Sequence, residues 1–217
     1  MKKLTLLLVL ILGHTTLFAQ QDGSITYRID VDGMDAQTKS LMQNLAMVMT
    51  FKGKQSRTDM DMGMVKMSTI TKDNITYSLM DYMGNKFKIP LTQEDVQKTK
   101  WNESDYTVDY TSKTKDIAGY PCNLAIIKTK SNDVFNIWYC NKLQLNACSQ
   151  TPYSNFKGGC PMEFDMVKDG VRMKMQATKV DLSPVSDSAF IIPDGYQEIS
   201  PSQLEQMRMM GGSMPSK

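Results

Sequence analysis

Near its C-terminal end the chain carries a segment, Glu163 to Val180, that can pair with itself in only one sensible way. Asp169-Gly170 is the dipeptide a two-residue type I′ hairpin demands, because both turn positions need φ above zero. Closing that turn sets Lys168 opposite Val171, Met166 opposite Met173 and Phe164 opposite Met175, with Asp165 opposite Lys174 on the reverse side. One face is then wholly apolar and the other polar with a charge pair, so a one-residue slip would expose every buried group. An isolated hairpin is marginal in water, and its apolar face needs a larger sheet around it.

The rest of the chain supplies that sheet. Ser24 to Val31 places Ile25, Tyr27, Ile29 and Val31 on one face. Further strands are predicted near 47–53, 54–62, 64–72, 75–83 and 85–89, with Lys72-Asp73-Asn74 as a turn. Tyr120 to Lys130 and Asp133 to Cys140 form a second hairpin that brings Leu124 and Ile126 within reach of Trp138 and Val134. Helical signals are few. Asp35 caps a helix over roughly 36–46, Thr92 with Asp95 starts a short one over 92–99, and Ser200-Pro201-Ser202-Gln203 opens a last one that stops at Gly211-Gly212. The fold class is mainly β with some α: a half-open antiparallel β-barrel whose concave face is covered by short helices, leaving an apolar mouth.

Met1-Lys2-Lys3, the apolar run Leu4 to Leu12 and Leu17-Phe18-Ala19 have the order of a secretory signal peptide cleaved after Ala19. The apolar run is shorter than the roughly 20 residues of a spanning helix, so the mature chain is not expected to span a membrane. The expected organisation is a signal peptide at 1–19, a single β domain at 20–200, and a C-terminal helix with a Met-rich tail at 201–217. The destination is periplasmic or extracellular. Losing Lys2 and Lys3 reduces the 25 basic residues to 23, equal to the 23 acidic ones, and leaves no basic patch for nucleic acid.

Cys122, Cys140, Cys148 and Cys160 are an even set in an exported chain, which favours disulfides. A hairpin turning near Ser131 sets Cys122 opposite Cys140, which leaves Cys148 to pair with Cys160. Catalytic signals are missing. The single histidine, His14, lies in the leader, and neither a Gly-x-Gly-x-x-Gly nor a phosphate loop occurs, so no enzyme activity and no cofactor are predicted. Asp30 to Asp35 opens like a calcium loop but lacks the distant glutamate, and no metal site is assigned to it.

What remains distinctive is methionine, 19 in all. Met60, Met62 and Met64 alternate along one strand, and Met173 and Met175 along another. Methionine fills ordinary cores, makes deformable pocket walls, and offers soft thioethers to Cu(I), a third reading that Met207, Met209, Met210 and Met214 invite. The predicted ligand-binding residues are Phe164, Met166, Met173 and Met175 as an apolar wall; Arg57, flanked by Lys54 and Asp59, is expected to form a surface salt bridge, or to anchor a polar head if it points inward.

Six spaced segments carry a resemblance: Phe51 to Arg57, Leu79 to Met83, Lys115 to Tyr120 with Cys122, Ile137-Trp138-Tyr139, Gly159 to Glu163, and Phe190 to Tyr196. Together they resemble an uncharacterised family of exported proteins, common in Bacteroidetes-type bacteria and related to the LolA-like lipoprotein-carrier fold. The resemblance implies a helix-lidded half-barrel over an apolar cavity and no catalytic residues. The expected function is therefore a non-catalytic binder or carrier of a lipid or other apolar ligand. The alternatives are a structural or protein-interaction module of the cell envelope, with partners unknown, and a Cu(I)-binding Met-rich protein.

Overall fold

The computed structural model describes residues 22–31, 33, 45–63, 65–98, 100–143, 145, 156–168 and 171–209. Among them, twelve strands form one sheet in the order β12-β6-β5-β4-β3-β2-β1-β11-β10-β9-β8-β7. The strands are β1 Gly23–Val31, β2 Ala46–Lys52, β3 Gln55–Asp61, β4 Val65–Lys72, β5 Ile75–Tyr82, β6 Asn85–Leu91, β7 Tyr106–Ile117, β8 Tyr120–Thr129, β9 Val134–Cys140, β10 Cys160–Lys168, β11 Val171–Asp181 and β12 Gln197–Glu198. All neighbours are antiparallel except β12, which lies parallel to β6.

Turn length does much of the positioning. Two-residue connections with φ above zero join β4 to β5 at Asp73-Asn74, β5 to β6 at Met83-Gly84 and β7 to β8 at Ala118-Gly119. Such turns match the right-handed twist of the flanking strands and leave one register available. The predicted hairpin register is found as read, with Phe164 opposite Met175, Met166 opposite Met173 and Asp165 opposite Lys174. Leu124 faces Trp138 as expected, whereas Val134 faces Lys128 and meets Ile126 only diagonally.

Three expectations need correction. The sheet is open, ending in the short β12 on one side and the long β7 on the other, and does not close as a barrel. The helix predicted at 92–99 is a six-residue turn, α1 (Gln93–Lys98), that buries no residue and so covers nothing. Its Thr92/Asp95 capping box does form, with Thr92 N–H donating to Asp95 Oδ2 at 2.9 Å and Asp95 N–H to Thr92 Oγ1 at 3.1 Å. The third is β7, a twelve-residue strand that alternation does not signal, because a bulge between Tyr110 and Thr114 breaks its period. The helix predicted at 36–46 lies outside the described residues, except that Leu45 is buried and Ala46 already begins β2.

Covering comes instead from the C-terminal segment. Val185, Ala189, Phe190, Ile192 and Tyr196 lie over Ile70, Leu79 and Tyr77 on one face of β4 and β5. Phe190, Ile70 and Leu79 are almost fully buried there, each worth roughly 1.5–3 kcal/mol relative to exposure. The chain then rounds the sheet edge as β12. It enters α2 (Pro201–Met209) through the predicted cap, in which Ser200 N–H donates to Gln203 Oε1 at 2.7 Å. Leu204 of α2 packs with Ile199 against Phe87 and Ile89 of β6, on the opposite face of the sheet.

Candidate apolar binding face

Successive residues of a strand point to opposite faces, and directly paired residues share one, so the register alone maps each face. Across β7, β8, β9, β10, β11 and β1, one cross-strand row reads Tyr110, Ala125, Ile137, Phe164, Met175 and Ile29. Two residues along β1 a second row begins on the same face and runs to β6: Tyr27, Met47, Met60, Met67, Met80 and Phe87. Together they form an apolar stripe across the whole sheet except β12.

The two halves differ in cover. In the first, Ala125, Ile137, Met175 and Ile29 are buried, Phe164 is partly buried, Tyr110 stays exposed at the edge, and Trp101 and Phe156 pack over the β7–β9 end. Phe156 stacks on Tyr110 at 6.2 Å between centroids and meets Tyr139 edge-on at 5.4 Å. Tyr27, at the junction, is fully buried, and its hydroxyl donates to the Pro161 carbonyl at 2.8 Å. Burial pushes that phenol well above its ordinary pKa, so it stays a neutral donor. In the second half the ends are shut, by Met47 within the main core and by Phe87 under Leu204, and the methionines between them are partly buried, Met60 packing against the main core, Met80 against the Phe87 cluster, and Met67 lying between the two.

Beside this open stretch, on the same face and two residues along each strand, lies a hydroxyl row: Thr58, Thr69 and Ser78. A third row, Ser56, Thr71 and Thr76, follows it, with the Thr71 and Thr76 hydroxyls 3.0 Å apart. The open half of the stripe therefore grades from thioethers to hydroxyls within three rows.

Of the predicted wall, Phe164, Met166 and Met173 are partly buried against the main core, and Phe164 meets Tyr27 edge-on at 5.7 Å. Met175 has no exposed surface at all and is core. All four lie on the stripe face, as expected, but in its covered half. Arg57 does not join them: it is on the opposite face, paired with Ile70 in β4. Its Nη1 donates to the Ala189 carbonyl at 3.0 Å and its Nε to Asp59 at 2.8 Å, so it fastens the C-terminal segment to the sheet. Strand parity decides this, since Arg57 and Met60 are an odd number of residues apart. The open Met67 and Met80 and the hydroxyl row were missed, although the two-residue turns that align them are readable.

The reverse face carries a charge cluster. Glu163, nearly fully buried, accepts from Lys115 Nζ at 2.8 Å, Lys174 Nζ at 3.0 Å and Gln176 Nε2 at 2.9 Å. Lys115 also sits over the Trp138 ring, 4.3 Å from its centroid. Burial alone would raise the Glu163 carboxyl, and the two ammonium donors outweigh it, leaving the group below its ordinary value.

The predicted disulfide between Cys122 and Cys140 is absent: both are free, buried thiols. The register does bring them level, one step past the Asn123–Tyr139 pair, but Cys122 Sγ donates along its own strand to the Tyr120 carbonyl at 3.3 Å. Burial pushes its pKa up to about 12, which keeps it an unreactive thiol. Cys160 is disulfide-bonded, and Cys148 lies outside the described residues. The Met207, Met209, Met210 and Met214 side chains also lie outside them. A cleft of about 420 Å³ at the β7–β8 end is lined by Trp101 with Lys100, Asn102, Asp105, Thr129, Lys130 and Ser131. Its lining mixes the Trp101 ring with charged and polar side chains, unlike the wholly apolar mouth expected. Among the described residues no helix is long and apolar enough to cross a membrane.

Residues 22–149 match the family model described as a domain of unknown function, DUF4412, and the chain belongs to that family. No curated protein matches the chain. Among solved structures, PNGF-II in one crystal form is 16% identical with a TM-score of 0.50, over 86% of this chain and 32% of that one. The MucA/MucB complex of Pseudomonas aeruginosa gives 11% identity and a TM-score of 0.46, over 80% of this chain and 56% of that one. This chain thus spans about a third of PNGF-II and just over half of the MucB-complex chain it matches. The likeness to PNGF-II is one of fold alone.

Proposed function

We propose that this member of the DUF4412 family is an exported, non-catalytic binder of a long-chain amphiphile, held on the open half of the stripe. One observation carries the reading: Met60, Met67 and Met80 are partly rather than fully buried in a row whose two ends are closed by packed side chains. From β3 to β5 the stretch between those ends crosses two strand spacings, about 10 Å at roughly 4.8 Å each, enough for a segment of an acyl chain. Thioether side chains have three rotatable bonds and polarizable sulfur, so they adapt to chains of different length. The neighbouring Thr58, Thr69 and Ser78 hydroxyls can take the polar end. Affinity is therefore modest and broad, as no charged group on this stretch of the face selects a particular head.

The leader expected at residues 1–19 fits the same reading, since an amphiphile carrier works where membranes are accessible. The test has two arms. Protein purified from the envelope fraction is extracted with organic solvent, and the extract analysed for lipid by mass spectrometry. Purified protein is also titrated with a fluorescent long-chain fatty acid, alongside Met67→Glu. The reading expects saturable binding by the wild type and its loss in a Met67→Glu protein that still melts cooperatively, because an unpaired carboxylate there opposes an apolar ligand. Wild-type protein that carries no lipid and binds no probe would instead favour an interaction module of the envelope.

A further inference from the structure

The open row has a chemical property that an apolar wall does not require. Strand positions favour β-branched and aromatic side chains, and Val, Ile or Leu would give β2 to β5 an equally greasy face. Four consecutive cross-strand positions are instead methionine: Met47 faces Met60, Met60 faces Met67, and Met67 faces Met80. Directly opposed side chains on neighbouring strands have Cβ atoms about 4.5–5.5 Å apart, and a methionine sulfur reaches well beyond that through its flexible stem. Any three neighbours in the row can therefore bring their sulfurs to one point above the middle strand. Met47 is buried, while Met60, Met67 and Met80 are partly buried, so the row is shielded at its β2 end and reaches the surface along β3 to β5.

We infer that this row is a Cu(I) site, with Met60 and Met67 as its central ligands completed by Met47 or Met80. Neutral thioethers are soft donors that select Cu(I) over the hard and borderline divalent ions. The surroundings reinforce that choice. Among the described residues no group of three or more His, Cys, Asp or Glu side chains could hold a metal, so competing Zn(II) or Cu(II) sites of that kind are not offered there. The acidic residues of these strands, Asp59, Asp61 and Asp81, fall on the opposite face by strand parity. The site lies in the strands, in place of the Met-rich tail that composition alone would suggest. It stands independently of amphiphile binding, because it needs the sulfur atoms and not the greasiness of the row.

That difference defines the experiment. Full-length protein is titrated anaerobically with Cu(I) against a colorimetric Cu(I) chelator, and the bound metal examined by X-ray absorption. Wild type should retain one Cu(I) with sulfur-only coordination. A Met60→Leu/Met67→Leu variant, which conserves volume and apolarity, should lose affinity at least tenfold while its thermal midpoint and far-UV circular dichroism stay those of the wild type. Failure of wild type to hold Cu(I) against the chelator would overturn the inference. So would full retention by the double variant, which would move the metal to the buried thiols of Cys122 and Cys140 or to the tail. Failure of the wild type to bind the fatty acid while it holds Cu(I) would count against the amphiphile reading alone.

Discussion

Replacing Glu163 with glutamine should destabilise the protein at neutral pH and much less in acid. Glu163 is 7% exposed at its side chain and accepts from two ammonium groups, Lys115 at 2.8 Å and Lys174 at 3.0 Å. A hydrogen bond to a charged group contributes about 1.5–3 kcal/mol. Here Lys115 and Lys174 are 34% and 46% exposed and can turn to water when the charge is removed, so much of that contribution is recovered. A net loss of about 1–3 kcal/mol follows, or a fall in Tm of about 2–12 °C for a chain of this size. The sign with pH is fixed by the folded carboxyl lying below its ordinary value of 4.5. Its stabilisation is complete above the unfolded pKa and disappears as pH falls through the folded one. Other carboxylates are held low too, such as Asp181 at about 2 through Ser183 and Lys179, but they are common to both proteins and cancel in the difference. Thermal melts followed by circular dichroism between pH 7 and pH 3 read this directly. Equal melting temperatures at pH 7, or a gap that stays constant into acid, would refute the reasoning.

Two further outcomes are expected. Phe190→Ala should remove the anchor of the C-terminal segment over Ile70 and Leu79 and cost about 3–5 kcal/mol, read as a lower midpoint in urea with an unchanged slope. A thiol-specific alkylating reagent should label neither Cys122 nor Cys140 in the native protein and both in denaturant. Rapid native labelling, or protection that survives denaturation without reductant, would contradict two buried free thiols.

The sheet was legible wherever a short turn and clean alternation coincide. The Asp169-Gly170 hairpin is the clearest case: one dipeptide fixes the register and the pattern of Phe164, Met166, Met173 and Met175 fixes the face. β7 was not legible, because the bulge after Tyr110 shifts its period mid-strand. For Arg57 the salt bridge to Asp59 is found at 2.8 Å, and only the inward role fails, for a different reason. Its strand and neighbours were assigned, but its face follows only from the parity of the β2–β3 register, which sends Arg57 one way and Met60 the other. The cover of each face is a tertiary fact. Nothing in Ser186 to Tyr196 announces that Phe190 will close β4 and β5 on one side and leave Met67 and Met80 open on the other. Cys122 is similar: spacing brings it level with Cys140, and the direction of the sulfur decides that no bond forms.

The partly buried Met60–Met67–Met80 stretch is proposed to hold the apolar part of an amphiphile, and mapping the contact by photochemistry is the sharpest test. Purified protein is equilibrated with a fatty acid carrying a photoreactive diazirine in its chain, irradiated, digested and analysed by tandem mass spectrometry, with excess unlabelled fatty acid as competitor. The account predicts saturable adducts on β3, β4 and β5 centred on Met60, Met67 and Met80, suppressed by the competitor. Adducts confined to the opposite face around Arg57 and Tyr77, or labelling that no competitor reduces, would contradict it.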